Sequence, residues 1–156
     1  MAKCGYTAVT GGAVALSAAT AKSILGVKAH ANSGIELKKY RVGFDGVTAS
    51  AVPVLIELCY STFATNSPGT NSTSVTPAQA YGRVISVQAT AGKTWTTEPT
   101  VLTVVEEFLL TPNGGLLFYD GPLGDTPDSA VSEGFVIRCT APATVNVRAT
   151  MWWERI

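Results

Sequence analysis

Val101-Leu102-Thr103-Val104-Val105-Glu106-Glu107-Phe108-Leu109-Leu110, then Thr111-Pro112-Asn113-Gly114-Gly115, then Leu116-Leu117-Phe118-Tyr119-Asp120 is the passage on which the fold turns. Two runs rich in β-branched, aromatic and aliphatic residues flank a break of turn-forming residues, so both runs read as strands. Asn113, Gly114 and Gly115 tolerate the positive φ of a tight turn, which predicts a hairpin joining 101–110 to 116–120. The same texture continues on either side. Ile35–Phe44, closed by Asp45-Gly46, then Pro53–Thr62, Arg83–Ala89, Gly134–Thr140 and Thr144–Glu154 are further expected strands, with a weak one near Tyr6–Val9. Ala141-Pro142-Ala143 makes a short connection between the last two. The stretches 66–79 and 121–133 are rich in Ser, Thr, Asn, Asp, Pro and Gly and read as long exposed loops.

Seven or eight strands of this kind predict an all-β domain, an antiparallel β-sandwich of jelly-roll type, with an immunoglobulin-like sandwich as the alternative. The first 34 residues differ in texture. Ser17 followed by Ala18-Ala19-Thr20-Ala21-Lys22-Ser23-Ile24-Leu25 and then Gly26 predicts a short capped helix over 17–25. The expected division is therefore an N-terminal arm, 1–34, carrying that helix, and a sandwich domain, 35–156.

The chain has 156 residues, with 11 Lys and Arg balancing 11 Asp and Glu, so it lacks the basic field that drives sequence-independent nucleic-acid binding. Charged residues make up 14%, against about 25% in typical domains, while apolar residues are 46%. Area scaling predicts a folded surface of roughly 7,500 Å², enough burial for a core without disulfides or metal. Cys4, Cys59 and Cys139 are odd in number and far apart, which suits small buried thiols. No run approaches the roughly 20 apolar residues of a membrane-spanning helix, and direct binding to membrane or nucleic acid is not expected.

Chemistry-bearing patterns are sparse. His30 is the single histidine and lies in the expected arm, and no Gly-x-Ser-x-Gly elbow is present, so a Ser-His-Asp site or a two-histidine metal site is hard to build. Glu106 and Glu107 are adjacent, and on a strand they face opposite sides. Asp120, Asp125 and Asp128 fit no EF-hand spacing and read as turn aspartates. Lys38-Lys39-Tyr40-Arg41 is the densest basic cluster; alternation places Lys38 and Tyr40 on one face, Lys39 and Arg41 on the other, enough to dock on an acidic protein surface. No catalytic residue, cofactor or metal site is expected.

Several strands are apolar at consecutive positions: Val54-Leu55-Ile56, Leu116-Leu117-Phe118-Tyr119, Phe135-Val136-Ile137 and Met151-Trp152-Trp153. Both faces of such strands need cover, from the arm, from loops or from other chains. Oligomerisation, closed and cyclic, is the expected outcome. Ile24, Leu25, Leu55, Leu117, Tyr119, Trp152 and Trp153 are the candidate residues of an oligomer or capsid interface.

Ala15-Leu16-Ser17-Ala18-Ala19-Thr20-Ala21-Lys22, the strand Tyr40-Arg41-Val42-Gly43-Phe44-Asp45-Gly46 and the terminal Val147-Arg148-Ala149-Thr150-Met151-Trp152-Trp153-Glu154 give the chain a texture that resembles small structural proteins of tailed bacteriophages, most closely head decoration (cement) proteins. The resemblance implies a homotrimer made in the host cytoplasm and seated on the outer surface of the capsid, clamping neighbouring copies of the phage major capsid protein. It carries over no catalytic residues. Other readings are a tail-associated structural protein and a carbohydrate- or receptor-binding sandwich module built on Trp95, Tyr81 and the loop 66–79.

Overall fold

The computed structural model describes residues 4–45 and 52–156. Gly46, half of the expected Asp45-Gly46 turn, lies outside them. The described strands are β1 (Gly5–Val9), β2 (Val14–Leu16), β3 (Ala21–Lys28), β4 (Ile35–Asp45), β5 (Val54–Ser61), β6 (Thr73–Val75), β7 (Ala78–Tyr81), β8 (Thr90–Lys93), β9 (Leu102–Leu110), β10 (Leu116–Asp120), β11 (Asp128–Ser129), β12 (Gly134–Thr140) and β13 (Val145–Arg155). They form two antiparallel sheets. The first has the order β10-β4-β13-β1-β7, with β11 also on β4 and β2 also on β13; the second has the order β6-β8-β3-β12-β5-β9. The described residues contain no helix, and so none long and apolar enough to cross a membrane.

The pairing follows one rule. The early strands β1, β3, β4 and β5 pair with the late strands β13, β12, β10 and β9, in reverse order, and successive pairs alternate between the sheets. The chain is one long antiparallel ribbon rolled into a sandwich, with residues 62–101 at its tip. That roll explains the largest departure from expectation. Asn113-Gly114-Gly115 is not a hairpin turn, because β9 pairs with β5 in the second sheet and β10 with β4 in the first. The glycines, Gly115 at φ +100°, carry the chain across between sheets.

The N-terminal expectations are corrected as well. Residues 17–25 are not helical: β3 occupies Ala21–Lys28 between β8 and β12, inside the second sheet. Ile24 and Leu25 are both fully buried, opposite a register shift in β12, and this burial outweighs the helix preference of the alanines. Gly26 is no cap. A Cβ there would sit 2.9 Å from the Trp95 ring, so the glycine makes room for an indole. Nor do the described residues of the expected arm 1–34 form one, since β1 and β2 lie in the first sheet and β3 in the second. The expected strand at Arg83–Ala89 is also absent. Its carbonyls are taken by side chains instead: the Tyr6 hydroxyl donates to Ile85 (3.0 Å), and Gln79 and the Cys4 thiol donate to Arg83.

The core lies between the sheets. Along β13 the alternation is regular, with Val147, Ala149, Met151 and Trp153 inward and Arg148, Thr150 and Trp152 outward. A second, smaller cluster sits on the opposite side of the second sheet, where Phe63 and Trp95 from the tip cover Cys59 and Val136. Beside it Arg138 donates twice to the Glu57 carboxylate, at 2.7 and 2.9 Å. The Glu57 bond raises the Arg138 pKa, outweighing the opposing effect of burial. The chain's own tip thus shelters much of what the consecutive apolar runs expose. Its accessible surface, 7422 Å², is that expected of a lone protein of this mass.

Candidate functional site

The residues expected at an interface divide. Ile24, Leu25 and Trp153 are at most 1% exposed inside the chain's own core, so they hold the sandwich together and are not available to a partner. Leu117 and Tyr119 turn inward from β10 and pack, half-buried, against the same core. Leu55 is half-buried beside Leu109 of β9, and Trp152 is half-buried facing away from the core. The two indoles do point to opposite faces of β13, one of them inward.

Two surfaces among the described residues stand out as able to meet another molecule. The first is the flank where both sheets end. Tyr40 stacks on Tyr119 of β10 and on Phe108 of β9, with ring centroids 5.2 and 6.2 Å apart, which ties the two edge strands to one side of the sandwich. Among the described residues neither β9 nor β10 has a partner strand beyond it. Val104, Val105, Leu109, Leu116 and Phe118 are 39–67% exposed along this flank. Between the edges is a cavity of about 450 Å³ lined in part by Val105, Glu106, Tyr119 and Asp125. Glu106 points into it and accepts a bond from the Tyr40 hydroxyl (2.8 Å), while Glu107 is exposed, as strand alternation requires. Burial, then the Glu106 and Asp125 charges, push the Tyr119 pKa up.

The second surface is the outer face of the first sheet. A register shift where β13 passes Leu37–Lys39 inserts an extra residue in β4. Lys38 therefore joins Lys39 on the groove side instead of sharing a face with buried Tyr40, contrary to simple alternation. Lys38 pairs with Glu36 and with Glu154 (3.4 Å); burial alone would lower its pKa, and the two carboxylates more than reverse that. Glu154 also accepts from the Tyr81 hydroxyl (2.7 Å), and burial together with that bond raises the Tyr81 pKa. The Tyr81 ring covers Gly5, where a Cβ would come within 2.2 Å of it. Farther along, Lys39 lies over the Trp152 ring at 5.3 Å, and Arg41 lies over both Trp152 (5.0 Å) and Phe118 (4.6 Å). Lys38, Lys39, Tyr81, Asp120, Leu123 and Trp152 line a groove of about 260 Å³ there.

The remaining candidates are structural. Cys4, Cys59 and Cys139 are buried and unbridged. Burial raises the Cys59 thiol to about 11 and pushes Cys139 up as well, which keeps both protonated and unreactive. His30 Nδ1 accepts from the Asn32 amide, closing a local turn. Trp95 is 1% exposed, with its indole N–H bonded to the Asn66 carbonyl (2.7 Å), so it offers no platform to a sugar; Tyr81, also expected there, is committed to Glu154. Among the described residues no group of three His, Cys, Asp or Glu is placed to hold a metal. Sequence reasoning missed the Phe118–Arg41–Trp152–Lys39 row, since its members come from three strands whose neighbours became known only with the register. The chain was compared with protein-family models, curated proteins and solved structures, and none matched.

Proposed function

We propose that this chain is a structural protein of a phage particle: a head decoration protein that closes into a homotrimer on the outer surface of the capsid and clamps neighbouring major capsid subunits. The rolled-ribbon connectivity supports a jelly-roll reading of the sandwich, an architecture used by capsid domains and also by lectins and cupins. The observation that carries the proposal is the β9–β10 flank. Edge strands are normally protected by charge, bulges or cover, and β9 carries Glu106, Glu107 and a register shift at Val105, which discourage strand-to-strand pairing; Val104, Val105 and Leu109 nevertheless stay in water, an apolar strip open to side-chain packing. Fully burying one such side chain contributes about 1.5–3 kcal/mol, so a few of them suffice to hold copies together once a ring spreads the contact over three joints.

Decoration then works by mass action. A ring that binds the assembled shell and not its free subunits stabilises the shell relative to its parts. The test is cosedimentation of the purified chain with expanded phage heads and, separately, with free major capsid protein. Saturable binding to heads alone supports the proposal; equal binding to both, or to neither, overturns it.

A further inference from the structure

We propose that the outer face of the first sheet docks an extended acidic segment of a partner polypeptide, gripped by Lys39 and Arg41. The biological partner rests on the docking role proposed above; the chemistry of the site does not. Phe118, Arg41, Trp152 and Lys39 form a row in which cations and rings alternate, spanning β10, β4 and β13. Arg148 on the same face is already paired with Asp45 (2.7 Å), and Lys38 with Glu36 and Glu154. Lys39 and Arg41 differ. Among the described residues no carboxylate lies within 4.0 Å of either, although Asp120 is the cross-strand neighbour of Lys39.

The Phe118 and Trp152 rings, 4.6 and 5.0 Å from its guanidinium carbon, hold the Arg41 side chain on this face, and a guanidinium so placed can take a carboxylate with two parallel N–H bonds. Lys39 and Arg41 stand two residues apart on a strand, a spacing of about 6.7 Å. Acidic side chains at alternate positions of an extended segment repeat at the same distance, so one segment lying along β4 can satisfy both cations while Trp152 and Phe118 supply apolar contact. Arginine and tryptophan are also the residues in which binding energy concentrates at interfaces. The chain's zero net charge and the pairing of the other cations on this face favour a short acidic peptide over a polyanion such as nucleic acid.

The probe is a fluorescein-labelled nine-residue peptide alternating Glu and Thr, titrated with the full chain and followed by anisotropy, beside a Lys-Thr peptide and a ten-nucleotide oligo-dT. Saturable binding of the Glu peptide that weakens with salt is expected. Arg41→Gln should weaken it at least about tenfold, the scale of one lost charge-assisted pair, while Lys28→Gln on the other sheet leaves it unchanged. No saturable binding, equal loss in both variants, or tighter binding of oligo-dT overturns the site. Running head cosedimentation on the same preparations separates the two proposals: heads decorated without peptide binding refute this site alone, and peptide bound without decoration refutes the decoration role alone.

Discussion

Replacing Trp95 with alanine tests whether the chain's own tip covers the outside of the second sheet. Trp95 is 1% exposed, packs with Cys59, Phe63 and Val136, rests on Gly26 and donates its indole N–H to the Asn66 carbonyl. Truncating a buried tryptophan to alanine costs about 3–5 kcal/mol. Against a total stability of about 5–15 kcal/mol, that is a lowering of Tm on the order of 10 °C for a chain of this size. The loss should also be local. Cys59 is covered by this cluster, whereas Cys139 lies in the core between the sheets, so a thiol reagent under native conditions should modify Cys59 faster in Trp95→Ala and leave Cys139 protected. Urea unfolding gives the energy, and peptide mapping after brief labelling gives the site. Should the alanine variant fail to fold, Trp95→Phe keeps most of the burial and loses the hydrogen bond, at about 1–2 kcal/mol. A cost below about 1 kcal/mol for alanine with Cys59 still protected would refute the reasoning.

Three further outcomes follow from particular contacts. Glu57→Gln leaves Arg138 half-buried without its carboxylate and should cost about 2 kcal/mol in urea unfolding, less than a fully buried pair because the Arg138 side chain is 25% exposed. Gly5→Ala should push the Tyr81 ring off β1 and break its bond to Glu154, seen by NMR as a Tyr81 hydroxyl pKa falling back toward 10 while stability changes little. Alkaline pH should unfold the protein. Burial, with the bond to Cys4, raises Tyr6 to about 12, and burial raises Cys59 to about 11, so the fold favours both neutral forms. That stability is complete below the ordinary values of 9–10 and is lost as pH climbs toward 11–12. A urea midpoint that stays flat from pH 8 to 12 would contradict it.

Strand positions in the second half were legible because period-two patterning and turn residues mark them locally: the expected Leu116–Asp120 and Gly134–Thr140 match β10 and β12. What connects to what was not legible. A break such as Asn113-Gly114-Gly115 permits a reversal within one sheet or a step to the other, and the choice is made by partners 41–56 residues away for β9 and 73–81 for β10. Ser17–Leu25 failed for a related reason, since alanines favour a helix only until Ile24 and Leu25 are claimed by a central strand. The surfaces were visible in part. Lys39 and Arg41 share a face as alternation dictates, but the extra residue that brings Lys38 beside them leaves no mark in composition, and Phe118 joins the row only through its register with β4. Phe63 and Trp95, on either side of the stretch 66–79 read as an exposed loop, fold back over Cys59 and Val136, a cover within the chain that the local pattern does not announce.

Sedimentation equilibrium of the intact chain tests the assembly claim most directly. The account predicts a mass three times 16.2 kDa at micromolar concentration, reverting to 16.2 kDa when exposed Leu109 on β9 is replaced with lysine, with the urea midpoint unchanged. A single-copy mass for the unaltered chain at high concentration, or a trimer indifferent to Leu109→Lys and Val105→Lys together, would contradict it.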